Sequence, residues 1–265
     1  PEYVLPIKKV YSKEKILLHQ HNDFLNPNTL NAKDIVDSLY KIITVSEFVK
    51  NKIMEIDKNI NIEVVYNGVD FNKFSFQKEK NKDIVIGYIG RIVPEKGVKE
   101  LIEAVKKLNS KNIKVCYSLN IIGGNKTGIE SDYLLECKNI SKNENNIHFL
   151  GYKDNSSLNN EYAKIDISVV PSIIDDACPL TVIESVVSGS AILCTNSGGI
   201  PELVNDNAII VERDDLVNNL VEKLEYLLIN PKIIEQMKEK SIEYATRYDS
   251  DKFCKQLNEK IFQER

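Results

Sequence analysis

Short apolar runs alternate along this chain with stretches in which apolar residues recur every three or four positions. That alternation predicts an α/β chain with a largely parallel sheet. Strands are expected at Lys15–His19, Ile42–Val45, Glu63–Tyr66, Ile84–Ile89, Lys114–Ile122, Ile147–Leu150, Ile165–Val170, Ala191–Cys194 and Ala208–Val211. The clearest helix is Val98–Leu108. Val98, Leu101, Ile102, Val105 and Leu108 share one face, and Lys99, Glu100, Glu103, Lys106 and Lys107 the other. From Asp214 to Arg265 the pattern is almost wholly helical, broken at Asn230-Pro231.

A polar, lysine-rich stretch, Phe76–Asp83, divides the pattern in two. Before it lie two or three strand-helix units, too few for a doubly wound sheet, which uses about five or six strands. The first segment is therefore expected to be the tail of a larger domain. After it, six strands with interleaved helices make a complete Rossmann-like unit. The chain opens on Pro1 instead of Met, which fits a fragment or a processed form.

Composition narrows the class. A net charge of -4 gives no electrostatic footprint for nucleic acid. No apolar run reaches the ~20 residues of a membrane span. The five cysteines (Cys116, Cys137, Cys178, Cys194 and Cys254) are odd in number and form no Cys-x-x-Cys pair, which suits a reducing cytosol better than a disulfide scaffold.

Three stretches carry candidate chemistry. Gly90-Arg91-Ile92-Val93-Pro94-Glu95-Lys96-Gly97 follows a buried strand and opens the clearest helix. Its glycines permit a tight turn, which brings Arg91 and Lys96 to the carboxyl edge of the sheet, where ligands bind in open α/β folds. With a helix N-terminus, the two cations suit a diphosphate. Read alone, the stretch is equally a surface loop with two solvated cations. The second, Pro171–Glu184, runs from a strand through a loop to a helix starting near Pro179. Asp176 and Glu184 stand eight apart on it, and a carboxylate suits the paired hydroxyls of a sugar. The free amides of Leu180 and Thr181 would face an anion. Two acids near a helix start also fit capping and solvation. The third, Cys194–Leu203, holds Gly198-Gly199-Ile200-Pro201-Glu202; for Pro201 and Glu202 a plain strand-to-helix connection is the better account.

Other signatures fail. A Gly-x4-Gly-Lys-Ser/Thr loop would need glycine at Asn120 and Asn125, and Gly87-Tyr88-Ile89-Gly90 is no Gly-x-Gly-x-x-Gly. His19-Gln20-His21-Asn22-Asp23 opens like a metallohydrolase site, but the third histidine, His148, is expected on an interior strand. His19 itself reads as a satisfied strand histidine.

In order and spacing, GYIGRIVPEKGVKELIEAV, NIHFLGYKD, YAKIDISVVPSIIDDACPLTVIES and GGIPELV resemble the C-terminal domain of the retaining glycosyltransferases of family 4, which have the GT-B fold. Upstream, Ile43–Val49 and Val65–Asp70 are similar to the end of that family's N-terminal domain and its hinge. The opening resembles spore-coat and cell-surface polysaccharide members. The likeness spans nearly the whole chain.

The resemblance implies a GT-B arrangement: residues 1–75 a remnant of the acceptor-side domain and hinge, 76–245 the donor-binding Rossmann-like domain, and 246–265 a helix packing back towards the N-terminal part. It implies that Arg91 and Lys96 neutralise the donor diphosphate, with Gly90 and Gly123 lining the donor cleft and the Leu180 and Thr181 amides near the phosphates. Glu184 would bind the ribose, Asp176 would face the transferred sugar, and Tyr152 and Lys153 lie where the base is held. His21 matches a histidine that reaches the reaction centre from the acceptor side. Two departures bear on the sugar contact. Asp176 is one methylene shorter than the usual Glu, with Asp175 beside it to share its role, and Pro179 replaces a common Gly and so removes one amide donor.

The expected activity is transfer of a sugar from a UDP- or GDP-sugar co-substrate to a saccharide or glycolipid acceptor. Stereochemistry would be retained and neither metal nor other cofactor required. The alternative is a nucleotide-sugar-binding module or inactive subunit lacking a full acceptor domain. The expected setting is cytoplasmic, at the inner face of the membrane or the spore coat, with any membrane contact made through the missing domain.

Overall fold

The computed structural model describes residues 3–11, 16–73 and 82–262. Two parallel sheets organise them. The smaller has β1 (Leu17–Gln20), β2 (Lys41–Thr44) and β3 (Ile62–Val64) in that order. Helices α1 (Val4–Lys8), α2 (Ala32–Asp37) and α3 (Glu47–Met54) accompany it. The larger has six strands: β4 (Ile84–Ile89), β5 (Tyr117–Ile122), β6 (Ile147–Gly151), β7 (Ile167–Val170), β8 (Ala191–Thr195) and β9 (Ala208–Val211). Their order is β6-β5-β4-β7-β8-β9, with every pair parallel. The chain therefore winds outward from β4 in both directions, and strand order reverses between β4 and β7. In such sheets a crevice opens at the carboxyl ends of those two strands.

Helices cover both faces, which is why the central strands read as unbroken apolar runs; β8 is buried throughout. On one face α4 (Val98–Asn109), α5 (Asp132–Ser141) and α8 (Leu216–Ile229) pack Leu101, Leu108, Leu220 and Leu224 against Ile86, Leu119 and Leu193. On the other, α7 (Leu180–Val187) sets Val182, Ile183 and Val186 in a cluster that also holds Ile42, Val45 and Val49 of the small sheet's half. The two halves thus share one apolar core. Next to β7 the chain forms α6 (Asn155–Lys164), and α9 (Pro231–Ala245) leads to the last helix, α10 (Ser250–Phe262). That helix lies on the small sheet: Lys41 Nζ donates to Lys260 O at 2.9 Å and Lys260 pairs with Glu63 at 3.0 Å.

Departures from the expected elements follow from pairing. β5 starts at Tyr117 instead of Lys114 because Tyr117 faces Ile84, where β4 itself begins. β7 starts at Ile167 because Ile165 still closes α6, its N–H donating to Tyr162 O at 3.2 Å. His148 lies on an edge strand, not an interior one, and is exposed. Most of the expected boundary at Phe76–Asp83, and Lys15 at the first strand's start, fall outside the described residues.

Candidate functional site

Backbone geometry assembles the crevice. Gly90 N–H donates to Ile122 O and Gly123 N–H to Gly151 O, each at 3.0 Å, so the ends of β4, β5 and β6 are drawn together. A side chain on Gly123 would overlap Gly90 O. After β4 a 3-10 turn, Pro94–Lys96, leads into Gly97, which adopts φ 68° at the start of α4. A Cβ there would run into Pro171 O. The close approach delivers Lys96 to the end of the neighbouring strand β7.

The loop after β7 meets it. Asp176 accepts from Lys96 Nζ at 2.6 Å on both oxygens and from Ser172 Oγ at 2.6 Å on one. The loop is held from several sides. Thr195 Oγ1 donates to Ser172 O at 2.7 Å, Ser197 Oγ to Ile174 O, and Gly199 N–H to Asp176 O at 2.7 Å. Gly198, at φ 56°, lies so close to the Asp176 backbone that no side chain fits. Asp175 turns away to Arg213 at 2.9 Å, so the two neighbouring acids have different partners and only Asp176 meets Lys96.

Arg91, Lys96, Asp176, Leu180 and Thr181 line one cavity of about 280 Å³. Leu180 and Thr181 are the first residues of α7, whose N-terminus no side chain among the described residues caps. Unsatisfied amides and the helix dipole there favour an anion. The cavity thus joins two cations, one helix N-terminus and one carboxylate at the strand-order reversal.

Glu184 lies one turn further along α7 and lines a different, smaller cavity of about 150 Å³, with Val69, Asp70, Lys73, Leu158 and Tyr162. The fully buried Tyr162 hydroxyl donates to Glu184 at 2.7 Å. Burial raises the Glu184 pKa, and that hydrogen bond opposes the shift. Arg91 also borders a third cavity, of about 290 Å³, with Gly124 and Lys126. Gly123 and Tyr152 line none of the three. Gly123 stands behind Gly90, and Tyr152 is 46% exposed beyond the end of β6. His21 is exposed at the end of β1, its ring 4.1 Å from that of His19, and it too lines none of these cavities.

Three contributors to this region were not singled out from sequence: Ser172 on Asp176, Tyr162 on Glu184 and Arg213 on Asp175. Glu202, read as a plain connection, is a cap: it accepts from Glu47 N–H and Phe48 N–H at 2.7 Å each. Its acidic side chain just after Gly-Gly-Ile-Pro was the available signal.

Residues 70–246 match the family described as glycosyl transferases group 1. An uncharacterized glycosyltransferase of Methanocaldococcus jannaschii is 28% identical over 226 residues, which cover 84% of this chain and 59% of that protein. The capsular polysaccharide biosynthesis glycosyltransferase CapM of Staphylococcus aureus is 31% identical over 206 residues, covering 71% of this chain and 52% of CapM. The chain thus spans little more than half the length of these relatives. The crystal structure of Anabaena HepE in complex with UDP and glucose superposes with a TM-score of 0.75 at 18% identity, covering 92% of this chain and 70% of that one. The matched span includes Arg91, Lys96, Asp176 and Glu184, and with the parallel double winding it follows that this chain belongs to the group 1 glycosyltransferases and has a GT-B-type fold.

Proposed function

We propose that the protein transfers a sugar from a nucleoside diphosphate to a saccharide acceptor with retention of anomeric configuration, as a family 4 enzyme. The observation that carries this reading is the single cavity shared by Arg91, Lys96, Asp176 and the α7 N-terminus. As the bond to the sugar breaks, negative charge grows on the departing diphosphate. Fixed cations and helix amides that meet this charge lower the barrier without reorganising. Because Arg91 and Lys96 supply that charge themselves, we propose that no divalent ion is needed.

In this reading Asp176 faces the transferred sugar, and Glu184 grips the ribose from the adjoining cavity. Tyr152 borders the base, Gly90 and Gly123 allow the backbone to approach, and His21 reaches in from the acceptor side. Residues 76–245 act as the donor domain, 1–75 as acceptor side and hinge, and 246–265 as the closing segment, whose helix α10 lies on the small sheet. The UDP and glucose bound by HepE favour a UDP-sugar over a GDP-sugar, and the role named for CapM favours a cell-envelope polysaccharide as acceptor.

Calorimetry with UDP and GDP, followed by donor hydrolysis with and without EDTA, tests the reading. UDP should bind, EDTA should change nothing, and Lys96→Ala should lower kcat/KM roughly 10²–10³-fold. No binding of either nucleotide, or equal kcat/KM for Lys96→Ala and wild type, would remove it. Binding without any turnover would favour a nucleotide-sugar-binding module.

A further inference from the structure

Where the two halves meet, one carboxylate stands at the contact. Glu202 sits on the short 3-10 segment Ile200–Leu203, anchored by the buried side chains of Ile200 and Leu203. Its two oxygens take the N–H groups of Glu47 and Phe48, the first residues of α3, at 2.7 Å each. Tyr66 adds its hydroxyl at 3.0 Å, and burial together with the Glu202 charge holds that phenol protonated. Charge-assisted bonds to a helix N-terminus are the strong kind, reinforced by the dipole.

Three residues earlier, Gly199 faces two ways. Its N–H donates to Asp176 O at 2.7 Å, and a Cβ on it would stand 3.0 Å from the Cβ of Ser46, the N-cap of α3. One turn of chain therefore seats the Asp176 loop and receives the end of α3.

We infer that Glu202 is a positioning residue: by clamping the N-terminus of α3 against the Gly198-Gly199 turn, it fixes where the small-sheet half stands relative to Asp176. The consequence for catalysis rests on the transferase reading, because donor and acceptor groups must meet across that contact. Geometry of this kind is worth much in rate, since a displacement of about 1 Å lowers it roughly 10²-fold.

The test compares wild type, Glu202→Ala and Glu202→Gln in the full-length protein by two measurements. In the first, UDP affinity should stay at the wild-type value. The kcat for UDP-sugar turnover should fall about 10–100-fold in Glu202→Ala, with Glu202→Gln, which keeps one acceptor oxygen, in between. In the second, made without ligand, amide hydrogen exchange should quicken both at 46–50 and at 175–181. A wild-type kcat in Glu202→Ala, or faster exchange at 46–50 alone, would overturn the inference. Should Glu202→Ala not fold, Glu202→Gln decides by the same criteria. A wild type that binds no nucleotide would defeat the transferase reading and leave the exchange comparison to judge Glu202.

Discussion

Lys96 Nζ stands 2.6 Å from both carboxylate oxygens of Asp176, and the two side chains are only 16% and 18% exposed. The cation proposed to meet a diphosphate is thus engaged by the acid proposed to face the sugar. A donor entering the cavity must share or replace that partner. With little water around the pair, the charges feel one another more than a surface ion pair would.

It follows that Asp176→Asn should tighten UDP binding, because Lys96 loses its internal competitor. A gain of roughly tenfold, about 1.4 kcal/mol, is expected by calorimetry, together with slower sugar transfer. In a double-mutant cycle with Lys96→Ala, urea unfolding should report coupling of about 0.5–3 kcal/mol. Weaker UDP binding by Asp176→Asn would show that the pair does not compete with the ligand.

Gly198 offers a test of how Asp176 is seated. At φ 56° it stands against the Asp176 backbone, whereas Gly128, at φ 76°, has open space around its Cβ position. Both Ala variants carry the left-handed strain of roughly 1–2 kcal/mol. Only Gly198→Ala should exceed it in urea unfolding and slow transfer as well; Gly128→Ala should transfer at the wild-type rate. Equal behaviour of the two would mean that the turn does not seat the acid.

Glu184 should display a conflict between stability and binding. Burial raises its pKa, so the folded state holds its proton to a higher pH than the unfolded chain. Stability therefore declines as pH rises through that raised pKa. Glu184→Gln keeps an oxygen for the Tyr162 hydroxyl and removes the buried charge. Its Tm at pH 7 should exceed that of wild type, while UDP binds more weakly. A lower Tm with unchanged UDP affinity would assign Glu184 to structure alone.

Much of this was legible in the sequence, and the remainder shows where sequence stops. Ile84–Ile89 and Ala208–Val211 form strands over the residues expected, because each is an apolar run bounded by polar or turn residues. The apolar pattern extends the expected strands back to Lys114 and Ile165, whereas the strands begin where the register with β4 sets in. Arg91 and Lys96 were visible because glycines and a helix start surround them locally. Tyr162, Arg213 and Glu202 were not, since their partners lie 22, 38 and about 155 residues away and only packing joins them. That Glu184 opens on a cavity of its own is likewise a matter of where α7 meets Val69 and Asp70.

His19 gives the last prediction. Burial, and then the neighbouring His21, lower its pKa to about 4. His19 is not the satisfied histidine expected from sequence: its Nε2 is buried without a hydrogen-bond partner among the described residues, and its ring stacks 6.4 Å from that of Phe253 on α10. The folded state therefore refuses a proton that the unfolded chain takes up near 6.5. Stability from this source is full above about 6.5 and is lost as pH falls towards 4, because the unfolded state binds more protons throughout that window. Carboxylates contribute to the same decline, so the informative quantity is a difference between two chains. In urea titrations from pH 7 to pH 4, His19→Phe, which keeps a ring beside Phe253 and cannot titrate, should lose less stability than wild type. Parallel curves would show that protonation of His19 does not drive the acid loss.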